Sequence, residues 1–410
     1  MDLPAYYEFC CRVKIIAGHN ALEKIPGVLT QLNDGKPMIV TDKGVSGAGL
    51  IDIVTNAIKN GVSIGAIADD VPPDSDLRVV NRLAGEYREK GCDSLIAVGG
   101  GSVMDTAKGI NVIVSEKADD LMKFSGANAL KRKLKPLIAI PTTAGTGSEV
   151  TLVAVIKDHE KNLKMLFVSY FLLPDVSIVD SRMTMTLPPA ITAATGMDAL
   201  SHAVEAYTCL AKNPLSDTHS LAAISLIREN LIQVTKNPGD KDGRLAMANA
   251  ATLAGIAFSN SMVGMVHTLG HSVGSVCGVP HGACMAILLP YGLEYNRHKN
   301  DHLTAELLFP LAGTDVYTAT PKDHRADTVI ALIRQMNRDL HDATDGRHAR
   351  SFKEVLDRDG KQMVPREKLP DIAKTALSDG SIFYNPEELD YDDFLMVLEA
   401  AWEGKPLNKI

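Results

Sequence analysis

Short apolar runs alternate with stretches of helical periodicity through the first part of the chain, which is the pattern of a parallel sheet joined by crossover helices. Residues 38–40 end in Thr41-Asp42, residues 62–67 lead into an acidic, proline-rich turn, residues 94–98 run into Gly99, and residues 137–140 stop at Pro141. The runs 151–156 and 163–168 flank a charged turn at 158–161 and predict a hairpin appended to that sheet; residues 176–179 read as a last short strand. After Leu187-Pro188-Pro189 the strand signal disappears and Ala, Leu, Met, Glu and Lys dominate. Proline suits the first turn of a helix. The expected organisation is therefore an α/β N-terminal domain with a parallel sheet over residues 1–186 and an all-α C-terminal domain over 187–410. The polar segment around 342–361 carries the weakest pattern.

Composition narrows the class. A chain of 410 residues exceeds what one hydrophobic core supports, in keeping with two domains. Its 45 % hydrophobic and 22 % charged content is that of an ordinary globular protein, and no apolar run reaches the roughly eighteen residues a membrane helix needs. A net charge of −8 without any Lys/Arg block argues against nucleic acid and anionic membranes as partners. Asp2 and Glu8, with no basic residue before Phe9, argue against a secretory or transit leader. Six cysteines are too few for a disulfide framework and the adjacent Cys10-Cys11 cannot readily bridge each other, so a reducing cytoplasm is expected.

Two loops carry candidate nucleotide chemistry. In Gly99-Gly100-Gly101-Ser102 a buried strand hands over to a helix, exposing backbone N–H groups and a partial positive charge where a phosphate could sit. The common dinucleotide fingerprint needs a further glycine at Met104, so this turn is Rossmann-like with a non-standard loop, and a purely structural turn weighs equally. Pro141-Thr142-Thr143-Ala144-Gly145-Thr146-Gly147-Ser148-Glu149 follows the next predicted strand at the same sheet edge, where open α/β folds bind ligands. Asp42, closing the earlier strand, could accept from a ribose 2′-hydroxyl and would repel a 2′-phosphate, favouring NAD over NADP; a helix-cap role is its plain alternative.

The second domain carries candidate metal chemistry. Asp198 and His202 lie one helical turn apart, His267 and His271 likewise, and His281 follows the break at Gly278-Val279-Pro280. One such pair is usually a surface contact, whereas two pairs and a third histidine in an apolar, glycine-rich setting favour a metal. Asp198, His202, His267 and His281 would form a set of one aspartate and three histidines suited to a borderline divalent ion, with iron and zinc both open. That leaves His271 for proton transfer or for supporting a ligand, two roles the spacing does not separate.

These segments, namely Gly99-Gly100-Gly101-Ser102-Val103-Met104-Asp105-Thr106-Ala107-Lys108, the 141–149 loop, Gly196-Met197-Asp198-Ala199-Leu200-Ser201-His202-Ala203-Val204-Glu205, and His267-Thr268-Leu269-Gly270-His271 with Pro280-His281-Gly282, resemble the group III metal-dependent, iron-containing alcohol dehydrogenases. Similarity spans nearly the whole chain, through Asp379-Gly380 and Asn385-Pro386. The resemblance implies hydride transfer between NAD and a small primary alcohol, diol or matching aldehyde, helped by one divalent metal, Fe2+ before Zn2+. It puts Asp198, His202, His267 and His281 on the metal ligands and His271 on a non-ligand histidine near the nicotinamide. It puts Asp42, Gly101, Ser102, Thr142, Thr143, Thr151 and Lys164 on cofactor contacts, beside Gly99 and Gly100 which the turn itself offers to the pyrophosphate, and Val153 and Phe258 on the substrate pocket. A homodimer or larger homo-oligomer is implied as well. Asp74 departs from a common Asn near the adenosine, and Ser181 and Met183 from a common Pro and Leu. A lyase of the dehydroquinate synthase type, which also uses NAD and metal, is the alternative, but no Lys/Arg cluster for a substrate phosphate accompanies the metal helices.

Overall fold

The computed structural model describes residues 4–32, 35–59, 61–158, 160 and 163–407, with Leu163 and Lys164 described by their backbone alone. Its contacts divide the chain into Cys10–Thr186 and a second unit formed by Leu187–Ile410 together with Met1–Phe9. The first residues thus belong with the second unit, whereas the sequence pattern groups them with the first domain; Phe9 rests its ring against His219, centroids 5.6 Å apart.

The α/β unit runs β1 (Lys14–Gly18), α1 (Ile25–Leu32), β2 (Pro37–Val40), α2 (Lys43–Gly47), α3 (Leu50–Ile58), β3 (Ala66–Ala68), α4 (Leu77–Glu89), β4 (Ser94–Gly99), α5 (Gly101–Glu116), β5 (Gly126–Ala127), β6 (Leu137–Pro141), β7 (Val153–Asp158), β8 (Leu163–Val168) and β9 (Val176–Asp180). Six strands form a parallel sheet in the order β1-β9-β6-β4-β2-β3. Alternate residues feed two separate cores, as a pleated strand requires. Met38, Val40, Leu95, Ala97, Leu137 and Ala139 enter one; Ile39, Ile96, Val98, Ile138 and Ile140 enter the other. Being buried on both faces, these strands read as unbroken apolar runs. The edge strand β1 escapes that reading, because Lys14, Ile15 and Ala17 are exposed and no residue of the strand is fully buried. β3 is shorter than the run 62–67 suggests.

The hairpin differs from expectation in its placement. β7 and β8 pair antiparallel, but they join β5 in a separate three-stranded sheet instead of extending the six-stranded one. The reason is one-sided burial: β7 alternates half-buried and buried residues, and its Ile156 packs on α5, where a Cβ on Gly109 would lie 2.5 Å from Ile156 Cδ1. A buried lysine ties the two elements further. Lys108 Nζ donates to Ser148 Oγ (3.1 Å), Thr151 O (3.0 Å), Thr151 Oγ1 (3.1 Å) and Val153 O (2.8 Å). Asp105, one turn earlier, accepts from Ser148 Oγ (3.1 Å) and Val155 N (3.0 Å). Burial pushes the Lys108 ammonium down to about 8 and the Asp105 carboxyl up.

The second unit is helical: α6 (Pro189–Thr208), α7 (Pro214–Lys236), α8 (Lys241–Ser259), α9 (Met265–Cys277), α10 (His281–Glu306), α11 (Leu308–Ala319), α12 (Arg325–Ala343), α13 (Leu369–Ala376) and α14 (Tyr391–Glu403). α6 is buried almost all round and packs on α7, α8 and α10. α9 starts only at Met265, because Asn260 closes α8, Met262 takes a left-handed φ of 77° and Gly264 forms the N-cap. Buried Arg244 donates to Thr192 Oγ1 (2.8 Å) and Leu187 O (3.3 Å), fixing the entry into α6.

Lys108→Met strands Asp105 in the core and is expected to lower the unfolding free energy in urea by about 3 kcal/mol. The wild type carries a pH signature too. Folded Lys108 titrates near 8 against an ordinary 10.5, so between those values the unfolded chain binds more protons and stability rises with pH. K108M is expected to lack that rise when the two urea midpoints are compared from about pH 7.5 to about pH 10, the window those two values set.

Candidate active site

Three helices bring the predicted metal ligands together. α6 carries Asp198 and His202 on one face, α9 carries His267 in its first turn, and α10 begins with His281 directly after Pro280. A close approach of α10 to α6 makes this possible: a Cβ on Gly282 would lie 2.5 Å from Ala194 O. Asp198 Oδ1 then stands 3.2 Å from His281 Nε2, 3.7 Å from His202 Nδ1 and 4.0 Å from His267 Nε2. All four ligand atoms lie within 4.8 Å of one another. Bonds of about 2.1 Å to a tetrahedral ion would put its ligand atoms about 3.4 Å apart, which these separations bracket.

The chemistry of the set also fits a cation. Asp198 Oδ1, His202 Nδ1 and His267 Nε2 are buried without a hydrogen-bond partner, an arrangement that is costly unless something positive sits between them. Burial pushes His202 down to about 3, and burial with His281 and His271 nearby holds His267 well below its ordinary value. For Asp198 burial pulls upward, but the surrounding imidazoles, His202 first, outweigh it and keep the carboxyl below its usual range. His202 and His267 therefore present imidazole lone pairs beside the Asp198 carboxylate at neutral pH.

Two carboxylates that sequence reasoning left without a role support this set. Glu205 hydrogen-bonds His267 Nδ1 through Oε2 and accepts from Val266 N through Oε1 (2.8 Å), so Nε2 of His267 faces the centre as a lone pair. Burial pushes Glu205 up to about 7. Helical spacing could have found it, since it follows His202 by three residues on α6. Asp379 Oδ2 pairs with His271 Nδ1 at 2.8 Å. Burial raises Asp379, yet the bond to His271 and the N–H of Ser381 bring it below the ordinary range. No sequence signal links two residues 108 positions apart. His271 itself lies outside the four-atom set, half-exposed, its ring stacked on His281 at 5.3 Å and edge-on to His267 at 5.8 Å. Phe258 stacks on His202 at 4.2 Å and 14°, so it walls the ligand set itself.

The glycine turn occupies the end of β4. Gly100 is the N-cap of α5 and has no side chain to satisfy the helix's first N–H groups, which suits an anion. A Cβ on Gly101 would lie 3.1 Å from Thr146 Cγ2 and one on Gly100 3.3 Å from Thr143, while Thr142 N donates to Gly99 O (3.1 Å), so the two loops form one cradle. Ser102 Oγ accepts from the N–H of Asp74 (3.1 Å), whose φ of 57° explains an Asn or Asp there. Asp42 caps α2, accepting from Val45 N (2.9 Å), as its plain alternative anticipates. Thr142 is buried and Thr143 half-buried; Thr151 is buried, its hydroxyl accepting from Lys108. Val153 starts β7 in the α/β unit. The side chain of Lys164 lies outside the described residues. Of the departures, Ser181 bonds His19 (2.9 Å) and Met183 fills the core.

The α/β unit thus carries an uncapped helix start suited to an anion, and the helical unit a buried cluster of one aspartate and three histidines that could hold a metal ion. Two family descriptions match, "Iron-containing alcohol dehydrogenase" over residues 13–181 and "Fe-containing alcohol dehydrogenase family, C-terminal" over 192–402. The 1,3-propanediol dehydrogenase of Klebsiella pneumoniae is 34% identical over 388 residues, 94% of this chain and 96% of that one. The NAD-dependent methanol dehydrogenase of Bacillus methanolicus is 36% identical over 281 residues, 68% of this chain and 74% of that one. A crystal structure of a 1,3-propanediol oxidoreductase superposes with a TM-score of 0.90 at 33% identity, covering 97% of this chain and 100% of that one. The chain belongs to the iron-containing alcohol dehydrogenase family, and these relatives favour the dehydrogenase over the lyase alternative.

Gly282→Ala forces a methyl group into the backbone of Ala194 and is expected to cost about 2 kcal/mol and to leave the purified protein metal-poor, read by urea unfolding and elemental analysis. Glu205→Ala frees the His267 ring and is expected to weaken metal binding by about 10- to 100-fold in a chelator competition.

Proposed function

We propose that this protein interconverts a small primary alcohol or diol and its aldehyde with NAD(H), using one divalent metal, Fe2+ in preference to Zn2+, held by Asp198, His202, His267 and His281. The observation that carries the reading is the convergence of four ligand atoms within 4.8 Å, three of them orphaned in the core. When bound, the ion supplies Lewis acidity to the alcohol or carbonyl oxygen and the nicotinamide supplies or accepts the hydride.

The protein's own groups do the rest. Asp198, His202, His267 and His281, one carboxylate and three imidazoles, would hold a divalent ion while leaving it a net positive charge. Glu205 fixes the tautomer of His267, and the Phe258 ring on His202 keeps water from that face. His271, its Nδ1 engaged by Asp379, can take up or return the alcohol proton at Nε2. Gly99, Gly100, Gly101, Ser102, Thr142 and Thr143 would bind the pyrophosphate and its surroundings through the cradle's N–H and hydroxyl groups. Asp42 at the end of β2 would accept from the adenosine ribose and repel a 2′-phosphate. Thr151 and Lys164 complete the proposed cofactor contacts, and Val153 and Phe258 are each proposed as positions that influence substrate choice. We extend the proposal to a cytoplasmic homodimer or larger homo-oligomer. No helix among the described residues is long and apolar enough to cross a membrane.

The test is NADH formation with a panel of short alcohols and diols, using protein stripped by chelator and reloaded anaerobically with Fe2+ or Zn2+. Activity should return with Fe2+, with NAD well ahead of NADP, and H202A should restore neither metal binding nor turnover. Full turnover by metal-free H202A would sink the proposal.

A further inference from the structure

Asn385-Pro386 stands out in the sequence yet has no part in the reaction described above. In the structure Asn385 is buried, and its amide uses all its hydrogen-bonding capacity. Oδ1 accepts from Met265 N (3.1 Å) and from Asn296 Nδ2 (2.9 Å); Nδ2 donates to Asn296 Oδ1 (2.8 Å) and Glu387 O (2.9 Å). The reciprocal pairing with Asn296 on α10 leaves the amide one orientation, with its oxygen on the first N–H of α9.

That helix start has no cap of its own, because its N-cap is Gly264. The N–H groups of Met265 and Val266 are met instead by Asn385 and by Glu205 on α6. A Cβ on Gly264 would lie 2.8 Å from Asn385 Oδ1 and 3.3 Å from Glu205 Oε1, so both acceptors press directly on the backbone. The cavity between them holds about 10 Å3, at most a single water, which leaves the turn little slack. His267 comes two residues after Met265. Asp379, which holds His271 on the same helix, precedes Asn385 by one 3-10 turn, Gly380–Tyr384.

We propose that Asn385, locked by Asn296, is a positioning residue of the metal centre: it fixes the first turn of α9 so that His267 Nε2 meets the ion at bonding distance. The inference rests on the four-ligand reading. Metal-ligand distances tolerate only about 0.2 Å, so a loosened helix start reaches the ion although Asn385 does not touch it.

The experiment is Zn2+ competition against a chromogenic chelator on the full chain, with melting curves of the metal-free protein and visible spectra of the Co2+-loaded protein. Asn385→Ala should bind Zn2+ about tenfold more weakly and alter the Co2+ bands. Asn296→Ala, which leaves the cap atom in place but unlocks it, should weaken Zn2+ by about threefold and serves if N385A does not fold. Unchanged Zn2+ affinity and Co2+ spectrum in either folded variant, even with a lowered metal-free melting temperature, would reduce Asn385 to a structural residue and overturn the proposal. Failure of the wild type to bind one Zn2+ would instead overturn the metal site itself.

Discussion

Asp198 is a carboxylate almost wholly withdrawn from water, and the organisation of the helical unit follows from that. A buried anion needs positive charge or several donors, yet two of the groups around its Oδ1, His202 and His267, are imidazoles that burial itself disfavours as cations. A cation shared by all four groups, as proposed, would resolve the conflict. Holding those groups together requires helices closer than side chains normally allow, which is why glycine faces the backbone of Ala194 at residue 282. It also requires the rings to be aimed, and the carboxylates of Glu205 and Asp379 do this from behind.

The α/β unit follows a parallel logic with the opposite charge. Its cradle presents main-chain N–H groups, so its chemistry depends on backbone placement more than on any one side chain. Glycines at 99, 100 and 101 let the turn lie against Val103, Thr143 and Thr146. Behind the cradle, Lys108 holds β7 and the Ser148–Thr151 backbone to α5 in an environment that lowers its own affinity for a proton. The lysine is an internal fastener between the helix that begins the cradle and the segment that ends it.

Much of this was legible along the chain because the signals are local. Buried parallel strands are unbroken apolar runs, ligand pairs recur at helical spacing, and proline marks the start of α6. Elements lying at edges or defined by distant partners were not legible: β1 is mostly exposed, the hairpin belongs to its own sheet, and Phe9 packs on His219 of the helical unit. Asp42 shows how one residue type can serve two roles, since the cap it forms and the ribose contact proposed for it call for the same carboxylate at the end of a strand.

Sequence by itself determined the two-part architecture and singled out the two glycine-rich loops and the four residues proposed as ligands, because periodicity and residue chemistry are properties of neighbours in the chain. Only the tertiary structure decided which groups stand behind them. Glu205 behind His267, Asp379 behind His271, Asn385 at the start of α9 and Lys108 beneath the cradle are assigned by contacts across 62, 108, 120 and 43 positions respectively. A hydrogen bond depends on separation in space, and separation along the chain carries no information about it until the helices are packed.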